Sequence, residues 1–293
     1  MKIALLLCGQ TRTFLRKEVL ELQNNFINHY DTDVFVSTWD NVGISLYDLY
    51  KKEHFENKSK VNEDSFDGLK NLKSLKISNF EKFVQNTAPS EKKNRMINYL
   101  SSMNTGINSY NPHRFATSYP QLFTMYDANN LKKDYERKNS FTYDVVIKSR
   151  PDFIFLKNID TQINNINNSV KSINSKPTYY FPNRIFDIMF ISSSKNMDKI
   201  TEAYIQFDEL VKLNSYEKFK LNYGNTIAGK LEKIIKSSVY LKGLESYDCN
   251  RILYKQAVNN SINVDDIDTI IGELVKVEDV PKISEIISQQ ILI

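Results

Sequence analysis

The chain has 293 residues, 41% of them apolar, and a formal charge of +4, which suits one main α/β domain with a large core and an appendage. Two cysteines, Cys8 and Cys249, and three scattered histidines exclude a disulfide framework or a structural zinc site. No run approaches the roughly 18 apolar residues of a membrane span, and the cytoplasm is the expected compartment. The charge is uneven: residues 264–293 hold seven acidic residues against Lys276 and Lys282, a balance of −5 that leaves +9 on residues 1–263. A basic body suits phosphorylated small molecules or an anionic membrane surface, but without Arg-rich runs interleaved with aromatics no nucleic acid is expected as partner.

The apolar run of MKIALLLC is short and leads into a polar turn, so it reads as a first buried strand over Lys2 to Cys8 rather than a signal peptide. Gly9-Gln10-Thr11-Arg12-Thr13 follows, and then a helix over Phe14 to Asn28 with apolar residues at 14, 15, 19, 20, 22, 26 and 27. A strand, glycine turn and helix can hold a phosphate on backbone N–H groups and Arg12, or can simply connect two elements; the turn matches neither GxGxxG nor GxxxxGK[ST]. Asp33 to Thr38 is a second strand ending in Trp39-Asp40. Trp39, the only tryptophan, either stacks on a base or sugar or seals the core.

Residues 41–74 read as a polar excursion. A short strand over Leu75 to Ser78, a helix over Phe80 to Gln85, a charged helix over Ser90 to Met103 and a loop over Asn104 to Arg114 follow. Thr117 to Arg137 is an amphipathic helix whose stripe of Tyr119, Leu122, Phe123, Met125, Tyr126, Ala128, Leu131 and Tyr135 belongs to the core, leaving Gln121 and Asn129 to reach a ligand.

Tyr143 to Leu156, YDVVIKSRPDFIFL, organises the chain. It reads as a buried strand interrupted at Arg150-Pro151-Asp152 and resumed at Phe153, because Pro151 cannot donate to a sheet ladder. Arg150 and Asp152 then stand at the carboxyl end, where ligands of open α/β sheets bind, or they pair with each other. Residues 159–175 read as a loose helix or loop, and Thr178 to Phe181 as a strand. Asp187 precedes the apolar run Ile188 to Ile191, which can pair with the central strand; it either approaches Arg150 and Asp152 or caps a turn. A helix begins at Ser192 to Ser194, another follows Tyr223-Gly224-Asn225-Thr226 and runs through Ile235, and Ser238 to Leu241 is a late strand. Within Val264 to Ile293 two amphipathic helices are expected, broken near Pro281. The expected domains are therefore 1–263, the main α/β body, and 264–293, a helical appendage.

Taken in order, MKIALLLCGQTRTF, DTDVFVSTWD, YPQLFTMYDANNLKKDYE, YDVVIKSRPDFIF and FDIMFISSSKNMDKI resemble the bacterial and viral glycosyltransferase-like proteins of surface-polysaccharide gene sets. Those proteins carry ISGQxRTF, DIFxSTW, RxRPD and DxFxxG patterns, and the likeness spans about residues 1–205. It implies a GT-A-like, Rossmann-like mixed and mostly parallel sheet flanked by helices. It also implies a nucleotide-sugar donor, a UDP-sugar first, and a glycan or lipid-linked acceptor in capsule or lipopolysaccharide synthesis. Carried over by residue, Gly9, Gln10, Arg12, Trp39, Asp40 and Arg150 would bind the nucleotide sugar. Asp152 would hold a metal or a donor hydroxyl, and Asp187 would be the base.

Three departures stand out: Lys148 replaces the first Arg of RxRPD, Ser192 replaces the Gly of DxFxxG, and no DxD pair of the metal-dependent GT-A kind stands at the Arg150-Pro151-Asp152 tip. Mg²⁺ or Mn²⁺ on Asp152 and a metal-independent reaction are both open, as are a non-catalytic binder of the same fold, oligomerisation through the C-terminal helices and association with the inner membrane face.

Overall fold

The computed structural model describes residues 1–43, 60–86, 113–164, 166, 169–173, 185, 187–210, 249–267 and 272–274. Four strands, β1 (Ile3–Gly9), β2 (Asp33–Trp39), β3 (Leu72–Ser78) and β4 (Val145–Ser149), run parallel to one another. A ribbon of β5 (Phe153–Phe155) and β9 (Gly272–Leu274) stands apart from β6 (Ser169–Ile173), β7 (Met189–Ser192) and β8 (Asn263–Ile267), which extend the main sheet. The seven-stranded order is β3-β2-β1-β4-β7-β6-β8, and β7 alone runs against the other six.

The α-helices among the described residues are α1 (Lys17–Tyr30), α2 (Phe80–Asn86), α3 (His113–Asn139), the single turn α4 (Asp160–Ile163), α5 (Ser194–Thr201), α6 (Phe207–Leu210) and α7 (Cys249–Asn259), with one 3-10 turn at Glu63–Phe66. None is long and apolar enough to cross a membrane.

The unbroken apolar run of β1 has a simple cause. Successive side chains point to opposite faces, and both faces are covered: Ala4, Leu6 and Cys8 enter a core with Leu122 and Met125 of α3, whereas Ile3, Leu5 and Leu7 enter a core with Phe26 and Ile27 of α1. β4 divides in the same way, with Val146 on the α3 side and Val145 and Ile147 on the α1 side. Helix α1 buries Val19, Leu22, Gln23, Phe26 and Ile27 at helical spacing and ends at Asp31, which takes a left-handed conformation at φ 45°; aspartate tolerates that region better than bulkier residues.

Several expectations are corrected. The central strand does not resume in its own sheet. Arg150 to Phe153 form a turn closed by the Phe153 N–H to the Arg150 carbonyl at 3.2 Å, and the redirected chain pairs with β9 instead. Residues 159–175 contain β6, a strand hidden by its polar composition and held by β7 and β8. Residues 263–267 and 272–274 are strands, not parts of an amphipathic helix, because pairing with β6 and β5 prevails over local periodicity. The boundary expected at residue 264 falls inside β8. Helix α7 was not among the expected elements. The elements expected at Ser90 to Met103, Thr178 to Phe181, Tyr223 to Ile235, Ser238 to Leu241 and Ile283 to Ile291 lie outside the described residues, as does most of the loop at 104–114.

Candidate functional site

Because β1 and β4 are parallel neighbours and β7 enters beside Ser149 in the opposite direction, the chain leaving β1, the chain leaving β4 and the residues before β7 share one edge of the sheet. Gly9 turns the chain there at φ +114°, a conformation that L side chains rarely adopt. Its carbonyl accepts from Thr38 Oγ1 at 2.7 Å. Arg12 also sits at positive φ, 46°, where its N–H donates to the Val42 carbonyl at 2.8 Å. The segment after β2 thus braces this turn. Gly43 lies directly against Gln10, where a Cβ would come within 2.3 Å of the Gln10 side chain, so the glycine makes room for it.

Arg12 Nε donates to Gln10 Oε1 at 3.3 Å and its Nη1 to Asp152 Oδ2 at 3.3 Å. From the other side Arg150 grips the same carboxylate with Nε on Oδ1 at 2.9 Å and Nη2 on Oδ2 at 2.6 Å. Asp152 is 3% exposed, while the guanidinium side chains keep 24% (Arg12) and 17% (Arg150) of their surface. Burial works against the Arg150 charge, but Asp152 and then Asp187 outweigh it and raise the Arg150 pKa above its ordinary value. The turn is pinned from behind by Gln23 of α1, which donates to the Pro151 carbonyl at 3.4 Å and to the Phe153 carbonyl.

Asp187 joins this group. Gln121 Nε2 of α3 donates to its carboxylate, and the fully buried Lys148 donates Nζ to its backbone carbonyl. The residue that departs from the expected RxRPD pattern therefore anchors the segment carrying Asp187. The Lys148 ammonium also lies 5.9 Å from the Phe190 ring centroid. Beneath the edge, burial first of all pushes the Cys8 thiol up to about 12, with Lys148 lowering and Asp127 raising it, so Cys8 is an inert core residue.

Of the expected site residues, Gln10, Arg12, Arg150, Asp152 and Asp187 come together, and Gly9 shapes their turn. Trp39 and Asp40 serve other purposes. Trp39 is 2% exposed and packed against Phe123, Phe80 and Phe83 at centroid distances of 5.4, 5.1 and 4.9 Å; it closes the core and has no ring face left for a base or sugar. The Asp40 carboxylate accepts from Asn79 Nδ2 at 2.6 Å and from the N–H of Phe80, the first residue of α2, at 3.0 Å, which is a helix-capping arrangement. Asn129 is likewise drawn elsewhere, onto Asp198 at 2.9 Å.

Asp152 does not fit a metal ion in this arrangement, since both oxygens accept from guanidinium groups. No group of three or more His, Cys, Asp or Glu side chains among the described residues could hold one either. The supporting residues Gln23, Val42 and Gly43 escaped the sequence reading. Gln23 had a visible signal, a polar side chain inside the apolar stripe of α1, whereas the bracing by residues 42 and 43 depends on tertiary approach alone.

No protein-family model matches this chain, and no curated protein sequence matches it; the site stands on its own geometry.

Proposed function

We propose that this chain is a nucleotide-sugar-dependent glycosyltransferase of GT-A type, moving a sugar, from a UDP-sugar first of all, to a glycan or lipid-linked acceptor in bacterial surface-polysaccharide synthesis. The observation that carries the reading is the meeting of Arg12, Arg150, Asp152 and Asp187 at one edge of a mostly parallel sheet, although Arg12 and Asp152 lie 140 residues apart. That edge is where open α/β sheets take their ligands. Guanidinium groups grip phosphate oxygens through directed, permanently charged donors, so Arg12 and Arg150 stabilise the diphosphate as it leaves. Asp187 accepts the proton of the acceptor hydroxyl while the acceptor oxygen bonds to the anomeric carbon and the carbon–diphosphate bond breaks. Gln121 and Lys148 fix where that carboxylate stands.

A second reading, a non-catalytic nucleotide-sugar or glycan-binding protein of the same fold, draws on one observation: the Asp187 carboxylate is already engaged by Gln121, as a residue that only shapes a binding site would be.

A thermal-shift screen of nucleoside diphosphates and their sugars tests the proposal. A ligand at 100 times its Kd stabilises by about 2.7 kcal/mol. Asp187→Asn is expected to keep the shift and lose transfer. An equally active variant removes Asp187 as base; binding without transfer to any acceptor favours the second reading; no shift from any compound defeats both.

A further inference from the structure

Both oxygens of the buried Asp152 carboxylate are occupied. Oδ1 accepts from Arg150 Nε, and Oδ2 accepts from Arg150 Nη2 and Arg12 Nη1, so three of its roughly four acceptor positions are used. A divalent cation seeks free oxygens and here would meet two guanidinium cations on the same atoms. The arginines, by contrast, are not exhausted. Arg12 spends Nε and Nη1, and Arg150 spends Nε and Nη2. This leaves Arg12 Nη2 and Arg150 Nη1 without a hydrogen-bond partner among the described residues, on side chains that still reach solvent. Because Oδ2 holds a nitrogen from each guanidinium, the shared carboxylate keeps the two groups side by side. Among the described residues, three cations (Arg12, Arg150 and the buried Lys148) and two carboxylates (Asp152 and Asp187) gather here, an excess of one positive charge.

We infer that Asp152 is a positioning residue that sets Arg12 and Arg150 as a paired clamp for a diphosphate, and that the clamp takes its anion without a divalent cation. The inference rests on the transferase reading for the identity of the diphosphate. Its own content is the role of Asp152 and the independence from metal.

Calorimetric titration of the full chain with inorganic pyrophosphate and with a nucleoside 5′-diphosphate, each in chelator and in Mn²⁺, tests it. Pyrophosphate is expected to bind with equal affinity in both buffers. Asp152→Glu, which keeps the charge and the capacity to hold a metal but displaces the carboxylate, is expected to weaken pyrophosphate binding about tenfold through misaligned charge-assisted bonds. Arg12→Lys, at the more exposed partner, is expected to lose about as much because an ammonium cannot hold two directed bonds at once; it keeps the test decisive should Asp152→Glu melt early. A nucleoside diphosphate that binds more tightly than pyrophosphate supports the clamp and names a nucleotide as its source. Equal affinities support the clamp for a diphosphate recognised by its phosphates alone. Binding seen only with Mn²⁺, or wild-type affinity in either variant, overturns the inference and leaves the transferase reading standing. No binding of either compound in either buffer overturns both.

Discussion

Two ionic clusters in this protein are built from similar parts and differ in what they leave undone. Between α3 and α5, Lys132 is fully buried, donates to Asp198 at 3.0 Å and to Ser194, and forms an ion pair with Glu136 at 3.3 Å. Glu136 in turn accepts from the Tyr143 N–H and from Ser194 Oγ, both at 2.8 Å. The ammonium is enclosed by three oxygen partners and has no exposed surface, and the cluster ties two helices to the start of β4. At the carboxyl edge of the sheet, Arg12 and Arg150 share Asp152 and keep donors in reserve where solvent enters. A charged cluster becomes a candidate site through unspent hydrogen-bonding capacity facing water, because a closed cluster can accept a ligand only by breaking bonds whose loss leaves buried charge uncompensated.

The largest expected effect is on the closed cluster. Lys132→Met strands Glu136 and Asp198 without their cation and is expected to cost about 3 kcal/mol in urea denaturation, with diphosphate affinity of the folded protein unchanged. A cost within about 0.5 kcal/mol, the usual range for ordinary surface positions, would erase the distinction between the clusters. Arg150→Ala inverts the pattern, with a binding loss of about 2 kcal/mol, roughly thirtyfold, for a nucleoside diphosphate in calorimetry. Normal binding by this variant would remove the strand tip from the site.

Gln23→Leu probes the support beneath the open cluster. Losing its bonds to the Pro151 and Phe153 carbonyls is expected to cost about 1 kcal/mol of stability and to weaken diphosphate binding less than Arg150→Ala does. A further effect concerns pH. The Cys8 thiol rises from 9.0 to about 12 in the folded protein, so the neutral thiol contributes stability that is fully present below about pH 9 and is lost as pH climbs from there toward 12. Cys8→Ala is expected to show a flatter alkaline decline in urea unfolding at pH 8 and pH 10; an unchanged slope would assign that decline to other groups, Tyr143 first, whose pKa burial and then Asp33 also raise.

The residues that could be read correctly from sequence are those whose role is local. The run Ile3 to Cys8, the stripe of α3 and the arrest of β4 at Arg150-Pro151 follow from side-chain period and from the missing N–H of proline. They foretold which strands lie inside and where Arg150 and Asp152 emerge. Trp39 shows where that reading stops: a tryptophan at the end of a strand beside a crevice is compatible with a stacking platform or a core seal. Three phenylalanines from α2 and α3 decided for the core. Asp40, one residue later, was taken by the first turn of α2 for the same reason, that a nearby helix start needs an acceptor.

The sequence by itself determined the alternation that buries β1 and β4 on both faces, the turn chemistry at Gly9 and Pro151, and the types of charge available at the sheet edge, because these depend on neighbours a few residues away. Tertiary structure decided that residues 263–267 complete the sheet, that Phe153–Phe155 leaves it, and that Arg12 and Arg150 share one carboxylate while Lys148 anchors Asp187. Those outcomes depend on hydrogen bonds between residues far apart in the chain, and such bonds exist only once the strands have paired.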